Sequence, residues 1–279
     1  MHGAHKALER ARELDPSEWK CSYFLGEVFR QSGQYQQAID IFSDILLEEP
    51  SELAVLVSLS QTHLEFGKAE KVGGFTARAE SSFVSSIRVV LEGLDASPGF
   101  RRIAWKTAAD ALFEASQLSG YSEDEALVKL INKALPLVTA HPMDQLTSLV
   151  SIPPRLSERS HSVLSRFILE ACLCAYSYRI SLGSLDSSAS ASAWYDLGVA
   201  LRLYYQRSND DEKREKINDE SVRCFKEAIS LSPGDDRYWS TLGSALFTSK
   251  PRLAQHAYVK ALDIDAKVSC MQRGIAIVC

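Results

Sequence analysis

Histidine, cysteine and carboxylate residues are the ones whose types suit metal ligation, acid–base work or thiol chemistry, and their spacing here supports none of these. His2, His5, His63, His141, His161 and His256 form no HExxH pair and no metal-ligand spacing. Cys21, Cys172, Cys174, Cys224, Cys270 and Cys279 contain no CxxC. Cys172 and Cys174 stand two apart, which on a helix sends them to different faces. No GxSxG elbow, Walker loop or GxGxxG phosphate loop is present. Arg101, Arg102 and Lys106 surround Trp105, an arrangement that suits a stacked base held by cations. Trp105 also falls on a recurring frame, where it is a packing residue instead. The run 209–220 mixes Asp210, Asp211, Glu212 and Glu215 with Lys213, Arg214 and Lys216. It reads as a solvated helical extension with internal charge pairs, the alternative being a docking loop for a partner.

The bulk composition limits what elements can position these residues. The chain has 279 residues, 46% hydrophobic and 24% charged, enough to bury a core and too apolar for disorder. Lys plus Arg total 31 against 36 Asp plus Glu, a net charge of −5. That balance offers no general attraction to phosphate, so tight direct nucleic-acid binding is not expected. Only 9 Pro and 14 Gly argue against a turn-rich β-sandwich. Scattered cysteines fit a reducing compartment. The first residues are charged and amphipathic, without an apolar signal core. The most apolar stretch, 167–178, carries Glu170 and is too short to span a bilayer. A soluble, intracellular protein is expected.

Internal repetition organises the rest. Pro16 and Pro50 are 34 residues apart, and each closes an apolar helical pattern. Ala4, Leu8 and Ala11 precede Pro16 as Ala38, Phe42 and Ile45 precede Pro50, with spacings of four, three and five. Ser221, Phe225, Ala228 and Pro233 repeat that spacing. Ala254, Tyr258, Ala261 and Ala266 do so with the proline lost. A second pattern precedes the last three of these, and the chain starts inside a unit at its second helix. It reads Trp239, Leu242, Gly243, Leu246, then Trp194, Leu197, Gly198, Leu201, and, with Ser22 at the tryptophan position, Leu25, Gly26, Phe29. His63 falls at the aromatic position of another unit, where it reads as core. Residues three and four apart share one helical face. Gly or Ala at the crossing lets a first helix approach a second closely, and the large residues fill the space around the contact. Proline after the second helix stops it and turns the chain into the next unit. One such pair leaves an apolar face bare, so pairs must stack.

These residues carry a resemblance to the tetratricopeptide repeat (TPR): W-x2-L-G-x2-Y, then A-x3-F, then P, on a 34-residue period. The resemblance implies an all-α fold, a right-handed superhelical solenoid of antiparallel helix pairs. The pattern predicts helices at about 3–14, 17–32, 35–48, 51–67, 75–95, 122–138 and 157–182. A helix carrying Trp105, Ala108, Ala109 and Leu112 lies between the fifth and sixth of these. GKAEKVGGF, from Gly67, reads as a lengthened connection, and 181–192 as a small-residue linker. The expected organisation is an N-terminal TPR block over 1–139, an irregular linker and diverged long helix over 140–189, a C-terminal TPR block over 190–266 with the insert 209–220, and an atypical tail over 267–279. The last unit lacks a polar cap and should leave an apolar flank exposed.

A narrower resemblance lies in DRYWSTLGSALFTSKPRLAQHAYVKALDID, residues 236–265. The YW-x2-LG segment followed by KP-x-LAQHA-x2-KAL is similar to the TPR scaffold subunits of superkiller complexes. That resemblance implies a non-enzymatic scaffold with no cofactor. It would join a DExH-box RNA helicase to WD-repeat subunits and serve the cytoplasmic exosome in 3′-to-5′ mRNA decay. The expected location is the cytoplasm, with the nucleus as a second site. Known members are far longer, so a partial copy is expected. A generic TPR adaptor in another intracellular complex is the alternative. A chaperone-tail clamp would need Lys and Asn where Tyr23, Glu27, Ser240 and Ser244 stand. A helical-toroid enzyme would need convergent acid and base groups, and none stands apart from the repeat pattern.

Overall fold

A computed structural model describes residue 10 and residues 19–94, 98–122, 124–139 and 160–272. Its described elements are all α-helices: α1 (Trp19–Gln31), α2 (Tyr35–Glu48), α3 (Leu53–Val72), α4 (Thr76–Glu92), α5 (Pro98–Ala115), α6 (Asp124–Thr139), α7 (His161–Ser181), α8 (Ser187–Arg207), α9 (Asp211–Leu231), α10 (Asp236–Leu246) and α11 (Pro251–Gln272). The helix expected at 3–14 lies outside the described residues, apart from residue 10, which is helical, and so do residues 140–159 of the irregular linker. Two units divide the chain, and the boundary falls inside α7, between 175 and 176.

In the first unit α1 packs on α2, α2 on α3, α3 on α4 and α4 on α5. In the second, α8 packs on α9, α9 on α10 and α10 on α11. Each is the TPR arrangement of antiparallel hairpins. Two turns of the first unit, α1–α2 and α3–α4, are built alike. Gly33 (φ 78°) and Gly74 (φ 82°) take the left-handed conformation that side chains avoid. The next residue closes the turn, Gln34 N–H donating to Phe29 O and Phe75 N–H to Glu70 O, both at 2.9 Å.

Three expectations are corrected. Residues 67–72 are helical, because α3 runs through Gly67 to Val72 and only three residues connect it to α4. Residues 187–192 are helical too. Asp186 caps α8 by accepting from the Ser188 and Ala189 amides, and a capped run of Ser and Ala has no reason to remain a linker. The last helix does not stop near Ala266 but continues to Gln272, since no proline interrupts it. By contrast α2 and α9 end at Glu48 and Leu231, just before Pro50 and Pro233.

Candidate protein-docking face

The repeat-packing residues come first, since they fix where the first helix of each hairpin points. A Cβ added to Gly26 would lie 2.6 Å from the ring of Phe42, and one on Gly198 would lie 2.6 Å from Phe225. On Gly243 the ring of Tyr258 stands at 3.0 Å. Leu25, Leu197 and Leu242 are buried beside these glycines, as are Ala38, Phe42, Phe225, Ala228, Ala254 and Ala261 on the second helices. Phe29, Trp194 and Trp239 are half-buried, and Pro50 and Pro233 are exposed at the helix ends. The Trp239 indole N–H donates to the Pro233 carbonyl at 3.0 Å, tying the end of α9 to α10. Tyr258 departs from Phe42 and Phe225: it faces its glycine yet is 37% exposed.

Sequence reasoning missed one such contact. Gly67 meets the buried ring of Phe83 at 2.6 Å, so the α3–α4 hairpin is built like the others. The signal was present in Ala79 and Phe83, which repeat the spacing of Ala38 and Phe42. His63 sits at the aromatic position of that unit, half-buried. Burial, with Arg88 adding to it, lowers its pKa to about 4, so it is a neutral packing residue at physiological pH.

Trp105 is only 2% exposed, so no ring is presented to a base. Its cationic neighbours are engaged, Lys106 with Asp110 at 2.8 Å and Arg101 with the Leu94 carbonyl at 3.2 Å. The nucleic-acid reading of this patch is therefore overturned. Buried Cys172 lies 3.4 Å from the Ala109 carbonyl. Burial raises the thiol pKa of Cys174 and Cys224 to about 12, leaving both unreactive. Buried carboxylates carry structural bonds: Glu70 accepts from Ser82 at 2.9 Å, Glu80 from the Ser122 amide at 2.6 Å, and Glu170 from Arg166 at 3.0 Å. Among the described residues no group of three His, Cys, Asp or Glu gathers to hold a metal. No described helix is long and apolar enough to cross a membrane.

What the first helices share is a polar ladder. In the first unit the Tyr23 hydroxyl meets Ser58 at 3.2 Å, and Arg30 reaches from α1 to Glu65 on α3 at 2.6 Å. Arg30 also holds Glu27 at 2.8 Å, so Glu27 is not a free acidic group. Glu114 on α5 then pairs with Lys71 on α3 at 2.8 Å. In the second unit Tyr195 on α8 meets Thr241 on α10 at 3.3 Å, and Arg179 pairs with Asp196 at 2.6 Å. Ser240 donates to the Arg237 carbonyl at 3.0 Å, within its own helix, and Ser244 is exposed. These bonds tie neighbouring helices of each unit to one another.

The insert proves to be helix rather than loop. Helices α1 and α3 run five residues past their glycines, whereas α8 runs nine past Gly198. Helices α2 and α4 begin seven residues before their phenylalanines, whereas α9 begins fourteen before Phe225. The connection keeps three residues. Arg202 and Arg214 stand over the Tyr205 ring at 4.9 and 4.7 Å, and Lys213 over Tyr204 at 5.6 Å. Lys216 pairs with Glu212 at 2.7 Å.

The hairpins and the recurring glycine–aromatic crossing define an all-α fold of the tetratricopeptide-repeat type. The tetratricopeptide-repeat family model matches residues 2–52. The chain is 27% identical over 259 residues to Superkiller protein 3 of Schizosaccharomyces pombe, an alignment covering 91% of this chain and 18% of that protein. It is 22% identical to Tetratricopeptide repeat protein 37 of Xenopus laevis, covering 98% and 16% of the two chains. With Superkiller protein 3 of Saccharomyces cerevisiae the identity is 21%, covering 95% and 18%. The chain thus spans less than a fifth of the length of these relatives. Among solved structures, crystal structures of MamA align at 16% identity and a TM-score of 0.49, covering 94% and 98%, and at 17% and 0.43, covering 88% and 96%.

Proposed function

We propose that this chain is a non-catalytic scaffold segment of a superkiller-type complex, acting in cytoplasmic mRNA decay. In that role its helical hairpins hold a DExH-box RNA helicase and WD-repeat subunits together, so that RNA passes to the exosome for 3′-to-5′ degradation. The observation that carries the reading is similarity to superkiller proteins along 91–95% of the chain, joined to the KP-x-LAQHA-x2-KAL motif at 250–262. The physical support is the polar ladder: neighbouring first helices are tied by Arg30–Glu65, Lys71–Glu114 and Tyr195–Thr241, so each unit can present groups to a protein at fixed spacing. The work assigned to the chain is binding, and the RNA chemistry belongs to its partners.

Affinity capture of the tagged chain from a eukaryotic extract tests this. A DExH-box helicase and a WD-repeat protein should be recovered together and should survive nuclease treatment. Recovery of an unrelated assembly, or loss of both partners on nuclease treatment, would overturn it.

A further inference from the structure

Ser208, Asn209 and Asp210 connect α8 to α9, at the tip that the added turns carry beyond the Gly198–Phe225 crossing. The backbone there is extended, with φ −80° and ψ 133° at Ser208 and φ −95° and ψ 112° at Asp210. The Ser208 amide donates to the Tyr204 and Tyr205 carbonyls at 3.0 and 3.3 Å, while its hydroxyl has no hydrogen-bond partner among the described residues. Asp210, Asp211 and Glu212 follow it at the second, third and fourth positions. The Asp211 and Glu212 side chains are 96% and 82% exposed. Each holds one exposed ion pair, with Arg214 at 3.5 Å and with Lys216 at 2.7 Å, of a kind that water and salt readily open.

We propose that Ser208 is a phosphoacceptor for a serine kinase whose substrate groove is basic. In the transfer, the Ser208 Oγ bonds to the γ-phosphorus of a nucleoside triphosphate as the bond from that phosphorus to the bridging oxygen breaks. The hydroxyl proton passes to the kinase's base, and the nucleoside diphosphate leaves. Such a groove takes an extended chain and reads acids at fixed places through charge-assisted bonds. Ser208 and Asp210 already hold that backbone. Asp211 and Glu212 stand in the first turn of α9, whose amides lack partners within the helix, so a single terminal turn opens at little cost. Five hydroxyl residues of the chain have a carboxylate three positions on: Thr62, Thr107, Ser122, Ser208 and Ser232. The structure separates them. Thr62 and Thr107 are buried and donate to carbonyls of their own helices. The Ser122 hydroxyl donates to the buried Glu80 carboxylate at 2.8 Å. Asp235, three beyond Ser232, is committed to capping α10 and to Arg237 at 2.6 Å. Of the five, Ser208 alone joins an unbonded hydroxyl to acids that stand in water. The inference goes beyond the scaffold reading and does not depend on which complex the chain joins.

The test incubates the purified full chain with an acid-directed kinase, casein kinase 2, and magnesium ATP, and locates the phosphate by fragmentation mass spectrometry. Incorporation should approach about one phosphate per chain, at Ser208, and should fall at least about tenfold in Ser208→Ala. Ser232→Ala should leave it unchanged. Asp211→Asn combined with Glu212→Gln, which keeps the Asp210 cap, should lower the kinase's kcat/KM for this chain at least about tenfold. Absence of incorporation, phosphate placed at Ser122 or Ser232 in preference to Ser208, or a wild-type rate in the doubly neutralised variant overturns the proposal. The assay contains only the chain and the kinase, so its failure leaves capture of helicase and WD-repeat partners standing. Loss of those partners in turn removes the complex assignment and leaves this site in place.

Discussion

The α8–α9 and α10–α11 hairpins are built on one contact and differ in what surrounds it. In both, a glycine on the first helix lets an aromatic ring of the second approach the backbone: Phe225 at 2.6 Å from the Cβ position of Gly198, Tyr258 at 3.0 Å from that of Gly243. Phe225 is enclosed on its far side by α10, and Tyr258 is open on its far side. The crossing within a hairpin is therefore set locally by the glycine–aromatic pair. The enclosure of that pair is supplied by the next hairpin. This divides stability into an intrinsic part for each hairpin and a part belonging to each interface, as expected for repeat proteins.

The largest effect expected from that division is at the rings. Phe225→Ala removes a fully buried side chain and should cost about 3–5 kcal/mol, whereas Tyr258→Ala, already partly in water, should cost less than half as much. Denaturant unfolding of the two variants measures both. Equal losses would mean that enclosure by α10 adds nothing to the crossing. Gly198→Ala and Gly243→Ala come next. At Gly198 the new methyl meets an enclosed ring that has no room to retreat, at a cost of about 1–3 kcal/mol. At Gly243 the ring of Tyr258 swings toward solvent, so the loss should be under about 1 kcal/mol. A larger loss at Gly243 than at Gly198 would break the comparison.

How much of this was legible depended on whether a residue's partner was local. The hairpins at 17–32 and 35–48 were readable because Leu25, Gly26, Phe29, Ala38, Phe42 and Pro50 all lie within one period, and the helices fall at Trp19–Gln31 and Tyr35–Glu48. The Gly67–Phe83 crossing was not, although its spacing equals that of Gly26 and Phe42. Gly67 lies close to Gly73 and Gly74, and three glycines in eight residues read as a turn when only local propensity is weighed. The tertiary contact with Phe83 is what makes a mid-helix glycine worth its conformational cost. The serine-rich stretch at 187–192 failed for a related reason: one capping carboxylate, Asp186, decides between linker and helix. The polar ladder was beyond reach. Arg30 and Glu65 are 35 residues apart, and which cation meets which carboxylate depends on the stacking of helices rather than on either helix alone.

A comparably small effect concerns the insert, and it sharpens the comparison from the other side. Four residues added to α8 and seven to α9 are close to one and two whole turns, so both helices regain their facing stripe after the addition. Tyr204 and Ile217 accordingly continue the buried stripe beyond the Gly198–Phe225 crossing. Tyr205 sits outside that stripe, half-buried, and its ring is flanked by Arg202 and Arg214. Arg202 also donates to Asn218 at 3.0 Å at the base of the added segments, and Arg214 over Tyr205 joins the two segments themselves. Tyr205→Ala should therefore cost about 1 kcal/mol, the size of an exposed cation–π contact. It should also speed proteolysis at 208–210, because only the added turns are loosened. The midpoint measured in a Phe225→Ala background should fall by the same increment, since the crossing and the extension share no partner. A non-additive result would show instead that the extension steadies the crossing and that the insert belongs to the core of its hairpin.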